Sequence, residues 1–119
     1  MVSAEAPAYA LSLQQGIPIS HPVTTRIADG MACRIPDPCA LEWIGRGVER
    51  IVEVSDDEVE CAMRIYFSAT HNVAEGAGAA ALAAALQESA LIAGKRIALV
   101  LSGGNVDRKV FARVLGEAQ

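Results

Sequence analysis

Aromatic side chains make up only 4% of this 119-residue sequence, although 52% of it is hydrophobic. The apolar material is therefore mostly Ala, Val, Leu and Ile, which suits close packing of helices on a sheet rather than a platform of stacking rings. Basic runs are missing too. Ten Lys and Arg, never more than two in a row, face fourteen Asp and Glu, for a formal net charge of −4. That balance gives no electrostatic footprint for nucleic acid or an anionic membrane surface, so neither is expected as a partner. The longest strongly apolar stretch, Gly76 to Leu86, falls well short of the roughly 20 residues of a membrane span. The first residues lack a basic-then-apolar signal pattern, so a soluble, cytoplasmic chain is the expectation. Cys33, Cys39 and Cys61 form no CxxC, and His21 and His71 are the only histidines. Neither a zinc site nor a disulfide is expected, and no carboxylate cluster has calcium- or magnesium-type spacing.

What is present reads as one α/β unit. Ala6 to Gln15 is helix-permissive and stops at Gly16, after which Ile17-Pro18 and His21-Pro22 hold the chain extended or turned. Met31 to Ile35 reads as short and extended, following an Asp29-Gly30 turn. Pro36-Asp37-Pro38 then opens a helix with Leu41, Ile44 and Val48 on one face and Trp43 as a packing residue. Ile51 to Val54 is strand-prone. Ser55 and Glu58 form a capping box, in which each side chain serves the backbone N–H of the other, and a helix starts there. Its stripe is Val59, Ala62, Met63, Tyr66 and Thr70, with Asp57, Glu58 and Glu60 as a solvated acidic face.

Gly76 to Gln87, small and apolar on every side, reads as a helix buried all round. Ile97 to Leu101 has the continuous apolar character of a parallel strand covered on both faces, and a last helix places Val106, Val110, Val114 and Leu115 together. The fold class is α/β, three-layered, with a mostly parallel sheet and helices on both faces. Only two or three strands are visible, so an edge and apolar faces need cover from self-association or another polypeptide.

Three short constellations could carry chemistry. Ser102-Gly103-Gly104-Asn105 follows the 97 to 101 run and leads into a helix, where glycines allow close backbone approach and ligands of α/β sheets bind. Taken alone it is either a plain strand-to-helix turn or a ligand contact. Glu75 precedes the glycine-rich helix start, where an acid can simply complement the helix dipole. Thr25 to Gly30 ends in Asp-Gly, most often a tight turn. His21 and His71 have no Ser or Cys nucleophile at a recognisable spacing and read as loop or cap residues.

Four motifs in register carry a resemblance: Thr-x-Ile-Ala-Asp-Gly at 25 to 30, Val-Ser-Asp-Asp-Glu at 54 to 58, Ala-Glu-Gly-Ala-Gly-Ala-Ala-Ala at 74 to 81, and Leu-Ser-Gly-Gly-Asn-Val-Asp at 101 to 107. Together, and over nearly the whole chain, they resemble the C-terminal half of serine/threonine dehydratases, pyridoxal-phosphate enzymes of the tryptophan-synthase β-like group. The resemblance implies an incomplete half of a two-lobed fold. It implies that Ser102 hydrogen-bonds the pyridine nitrogen, that Gly30 lies against one ring face, and that Glu75 sits near the ring and the bound amino-acid substrate. A neutral hydroxyl does not force the ring nitrogen to be protonated, which suits β-elimination.

In the family the cofactor-bearing lysine and the glycine loop cradling the phosphate belong to the N-terminal half, which is expected to be absent from residues 1–119. Lys95 and Lys109, the only lysines, do not match the Ser-Phe-Lys-type context and read as solvated. No catalytic residue is therefore assigned. Glu5 is the only acid in Met1 to Ala10, so a retained cation site is not expected either. The resemblance implies a dehydratase of serine- or threonine-like amino acids, inactive as this chain alone and in need of the missing half. The rival expectation is a non-catalytic α/β binding module that reuses the half-fold as a homo-oligomer.

Overall fold

Short-range signals set several of the helix ends. The structure, a computed structural model, describes residues 1–116. Helix α1, Ala8–Gln15, ends where Gly16 takes the left-handed conformation at φ 72°, one that costs glycine nothing. The buried Ser12 hydroxyl donates to Ala8 O at 2.6 Å and accepts from Ile19 N at 2.7 Å, so it also fixes the chain leaving that turn. Helix α2, Pro38–Gly47, begins with proline at its first position and with Asp37 accepting from Ala40 N at 2.9 Å.

Helix α3, Asp56–Thr70, carries the expected capping box. The Ser55 hydroxyl accepts from Glu58 N at 3.3 Å, and Glu58 Oε2 accepts from Ser55 N at 2.7 Å. It closes at His71, whose φ of 57° is the one positive value outside glycine among the described residues. Helices α4, Gly76–Gln87, α5, Ser89–Ile92, and α6, Arg108–Gly116, complete the order.

Strands β1, Val2–Ser3, and β2, Glu53–Val54, pair in parallel with Val2 opposite Glu53 and Ser3 opposite Val54. The fold is thus α/β, a small parallel sheet among many helices. Its core lies between α3 and α4, where Val59, Ala62 and Met63 meet Ala79, Ala80 and Ala83, with Val54, Ala74 and Val114 closing the ends. Small side chains on α4 let the two helix axes approach closely, which is why the alanine-rich segment can serve as a core element.

Several local expectations change. Met31 to Ile35 is not a strand: a single 3-10 turn spans Asp29–Met31, because Ala28 O accepts from Met31 N at 3.1 Å and Asp29 O from Ala32 N at 3.0 Å. Ile97 to Leu101 is not assigned as a strand, and Val100 is 74% exposed. A parallel strand is defined by its neighbours, and no neighbour lies along this run among the described residues.

Helix α4 is not buried all round: Gly76, Gly78, Ala79, Ala80 and Ala83 are buried, while Leu86 faces solvent. Trp43 is 72% exposed, with the Arg46 guanidinium 5.8 Å from its ring centroid, so it is not a packing residue within this chain. Glu60 is not on a solvated face. It is buried and accepts from both terminal nitrogens of Arg113, at 2.6 and 3.2 Å, tying α3 to α6. No helix is long and apolar enough to cross a membrane, and no group of three or more His, Cys, Asp or Glu among the described residues is placed to hold a metal ion.

Candidate cofactor site

Three loops converge at the N-terminal end of α4, and glycine is what lets them meet. A methyl group on Gly76 would lie 2.0 Å from Ile27 O, and one on Gly78 would lie 2.3 Å from Gly103 O. Both are backbone contacts that no side-chain rotation relieves, so the first turn of α4 must be bare where the 25–30 and 102–105 loops cross it. A methyl on Gly104 would likewise meet Val73 O at 2.7 Å.

Glu75 fastens this junction. Its amide donates to Gly103 O at 3.1 Å, and its Oε2 accepts from Asn105 N at 3.0 Å. The carboxylate lies over Gly103, where a methyl would come within 2.4 Å of Oε1. Glu75 occupies the cap position of α4 but makes no side-chain hydrogen bond to it. Its negative end is committed to the neighbouring loop, so complementing its own helix dipole is not its whole role.

Gly30 is brought to the same place by the 3-10 turn. A methyl there would lie 2.9 Å from the Ala77 side chain and 3.8 Å from Glu75 Oε1. Ser102 stands at the exposed end of the 97–101 run, and its hydroxyl makes no hydrogen bond to another described residue. The three residues singled out from sequence are therefore neighbours around one helix start: Gly30 and Glu75 directly, Ser102 through Gly103. A polar cavity of about 500 Å³ opens beside Glu75, lined also by Thr25, Arg26, Asp29, Asn105 and Asp107, but not by Gly30 or Ser102. Gly30 itself borders a second, apolar cavity of about 570 Å³ together with Tyr9, Met31, Ile44 and Val48.

One residue of this region was not singled out in the sequence. Asp56 is 6% exposed, and its two oxygens accept from Thr25 Oγ1 at 2.5 Å and Arg26 N at 2.8 Å. An acid just after a capping serine already has an ordinary explanation in the helix dipole, so nothing local marks its reach across to residue 25. The histidines keep ordinary roles: His21 Nδ1 lies 2.7 Å from Pro22 O, and His71 Nδ1 lies 3.1 Å from Phe67 O. Lys95, in a turn, and Lys109, in the first turn of α6, are exposed and line neither cavity.

Comparison with known proteins bears on this arrangement. The sequence profile of the family described as "Pyridoxal-phosphate dependent enzyme" matches residues 1–103. Phenylserine dehydratase of Ralstonia pickettii is 38% identical over 106 residues, covering 88% of this chain and 32% of the relative. L-threonine ammonia-lyase of Geobacter sulfurreducens is 35% identical over 113 residues, covering 95% and 28%. The chain thus spans about a third or less of the length of these relatives.

Among solved structures, a threonine deaminase from T.th. superposes with a TM-score of 0.80 at 33% identity, over 88% of this chain and 38% of that one. Maize serine racemase gives 0.81 at 29% identity, over 94% and 36%. A profile match over most of the chain, joined to the same fold in relatives of this identity, leads to one assignment: the chain belongs to the pyridoxal-phosphate dependent enzyme family.

Proposed function

We propose that this chain furnishes the ring-side wall of the cofactor site in a pyridoxal-phosphate-dependent dehydratase, one that eliminates water from serine- or threonine-like β-hydroxy amino acids to give a 2-oxo acid and ammonia. The observation that carries the reading is the junction at α4, where Gly30 and the 102–105 loop meet Glu75, which with Asn105 lines an open cavity. Its residues fit a flat heteroaromatic ring. Ser102 offers a solvent-facing hydroxyl with no partner among the described residues, and the glycines let the three loops close around the start of α4, which brings that hydroxyl's loop against Glu75. When bound, pyridoxal phosphate supplies an electron sink that makes the α-hydrogen of an amino acid removable.

In this reading the Ser102 hydroxyl holds the ring nitrogen by a hydrogen bond between neutral groups. Gly30 bounds one ring face. The Glu75 carboxylate, steadied by Asn105 N, is a fixed negative group near the ring and substrate. Neither Lys95 nor Lys109 borders the site, so no lysine of this chain is placed to take the α-proton. A complementary segment, on the same polypeptide or another, supplies the cofactor-bearing lysine and the phosphate cradle, and it docks on the apolar surface around Ile97, Leu99 and Val100.

The test is complementation with the part of Ralstonia pickettii phenylserine dehydratase that this chain does not match. The mixture is expected to release 2-oxo acid from threonine, serine or phenylserine, and Ser102→Ala to weaken that release, while this chain alone releases none. Borohydride trapping of one stoichiometric cofactor adduct on Lys95 or Lys109 of the isolated chain would overturn the proposal.

A further inference from the structure

We infer that Asp56 is a positioning residue of the cofactor site, acting through Thr25 to hold the loop that presents Gly30. The inference rests on the reading of the site given above. Asp56 opens α3 and lines neither cavity beside the site, yet both its oxygens are spent on the 25–30 loop: Oδ1 accepts from the Thr25 hydroxyl at 2.5 Å and Oδ2 from Arg26 N at 2.8 Å. Thr25 passes the constraint on, because its Oγ1 accepts in turn from Ala28 N at 3.0 Å. Ala28 O then accepts from Met31 N at 3.1 Å, closing the turn that contains Gly30. The same loop lays Ile27 O against Gly76, which seats the helix start behind Glu75.

One buried carboxylate thereby sets two walls of the site through a relay of hydrogen bonds. A carboxylate accepts two donors at once, whereas an amide in its place keeps one acceptor, uncharged, and turns an N–H toward the other partner, which the Thr25 hydroxyl takes only by ceasing to donate to residue 56. Arg26, whose side chain is 86% exposed and reaches only to 4.0 Å, is not the fastening element; its backbone N–H is.

The experiment is residue-resolved amide hydrogen exchange on the whole chain, compared across Asp56→Asn, Thr25→Val, Thr25→Ser and the exposed control Asp57→Asn. Asp56→Asn is expected to speed exchange at Arg26, Ala28 and Met31 by about tenfold or more, the effect of losing a hydrogen bond to a charged group. Ala79, Ala80 and Ala83 should keep their protection. Thr25→Val, which leaves the Asp56 to Arg26 bond intact, should loosen Ala28 and Met31 but spare Arg26. Thr25→Ser should restore the wild-type pattern, and Asp57→Asn should leave it unchanged.

If Asp56→Asn unfolds the chain, the Thr25 pair decides. Exchange at Ala28 and Met31 unchanged in Thr25→Val, or a loss in Asp57→Asn equal to that in Asp56→Asn, overturns the inference. In the complemented enzyme, Asp56→Asn is expected to weaken pyridoxal-phosphate affinity by about tenfold or more, followed by cofactor absorbance, for the same lost bond. Failure of the wild-type chain to complement refutes the proposed function and leaves the exchange pattern to judge Asp56.

Discussion

A single methyl group distinguishes the glycines that build the site from those that merely occupy a helix. Gly78→Ala would drive its Cβ to 2.3 Å from the Gly103 carbonyl, a backbone group fixed on its other side by Glu75 N. We expect a loss of about 1–3 kcal/mol in urea unfolding, the usual cost of forcing atoms into a filled space. Gly47→Ala, which meets nothing within 4 Å in α2, should instead stabilise by about 0.5–1 kcal/mol. Equal shifts for the two would show that the α4 junction is not tight. The motifs 74–81 and 101–107 were both visible in the sequence, and so were Gly30, Glu75 and Ser102. That Gly78 touches Gly103 was not, because a contact between residues so far apart leaves no local periodicity. Glu75 shows the same limit: beside a helix start its charge has a ready local meaning, and only the fold reveals Asn105 N as its partner.

Helices are where the sequence spoke most clearly, since caps and stripes are written within a few residues. The Ser55 and Glu58 box, the stop at Gly16 and the stripe of Val59, Ala62, Met63 and Tyr66 stand in the structure, while Thr70, read as the end of that stripe, is exposed. Ser55→Ala is expected to cost about 1 kcal/mol, lowering the thermal midpoint, because it removes the acceptor for Glu58 N at the start of the longest helix. Strands were less legible: Ile97 to Leu101 has the right composition, but composition cannot supply the neighbour that makes a strand. A pH effect belongs to this scale too. Hydrogen bonds from Arg50 hold the Glu88 carboxyl below the usual carboxylate range, and slight burial opposes them less strongly. A depressed folded-state pKa gives stability that is present above the ordinary carboxylate pKa and is lost as pH falls through the folded value. The pair is exposed and screened by salt, so Glu88→Gln should flatten the acid limb of the stability profile only slightly, and only at low ionic strength. A large effect in high salt would contradict that account.

The surface of the whole molecule is larger than its mass explains. It exposes 7455 Å² at 12.4 kDa, whereas a closed monomer of that mass exposes about 6,100 Å². The excess, roughly 1,300 Å², exceeds the roughly 800 Å² that one partner contributes to an ordinary stable interface. Part of the large apolar exposure lies along Ile97, Leu99 and Val100, the stretch whose two-sided hydrophobicity already implied cover in the sequence. This gives the surface a test that stability alone does not provide. Because Ile97 and Val100 are already in water, Ile97→Lys with Val100→Lys should change the thermal unfolding of the isolated chain little, by about 0.5 kcal/mol or less per site. Placed in a docked interface, the same lysines would bury unpaired charge, which is strongly unfavourable. The double variant is therefore expected to stay folded, to bind the hydrophobic dye ANS more weakly, and to lose assembly with the complementary dehydratase segment in size-exclusion chromatography. Assembly that survives both lysines would place the docking surface elsewhere, and the apolar cavity lined by Tyr9, Ile44, Val48 and Ile51 would be the next face to probe.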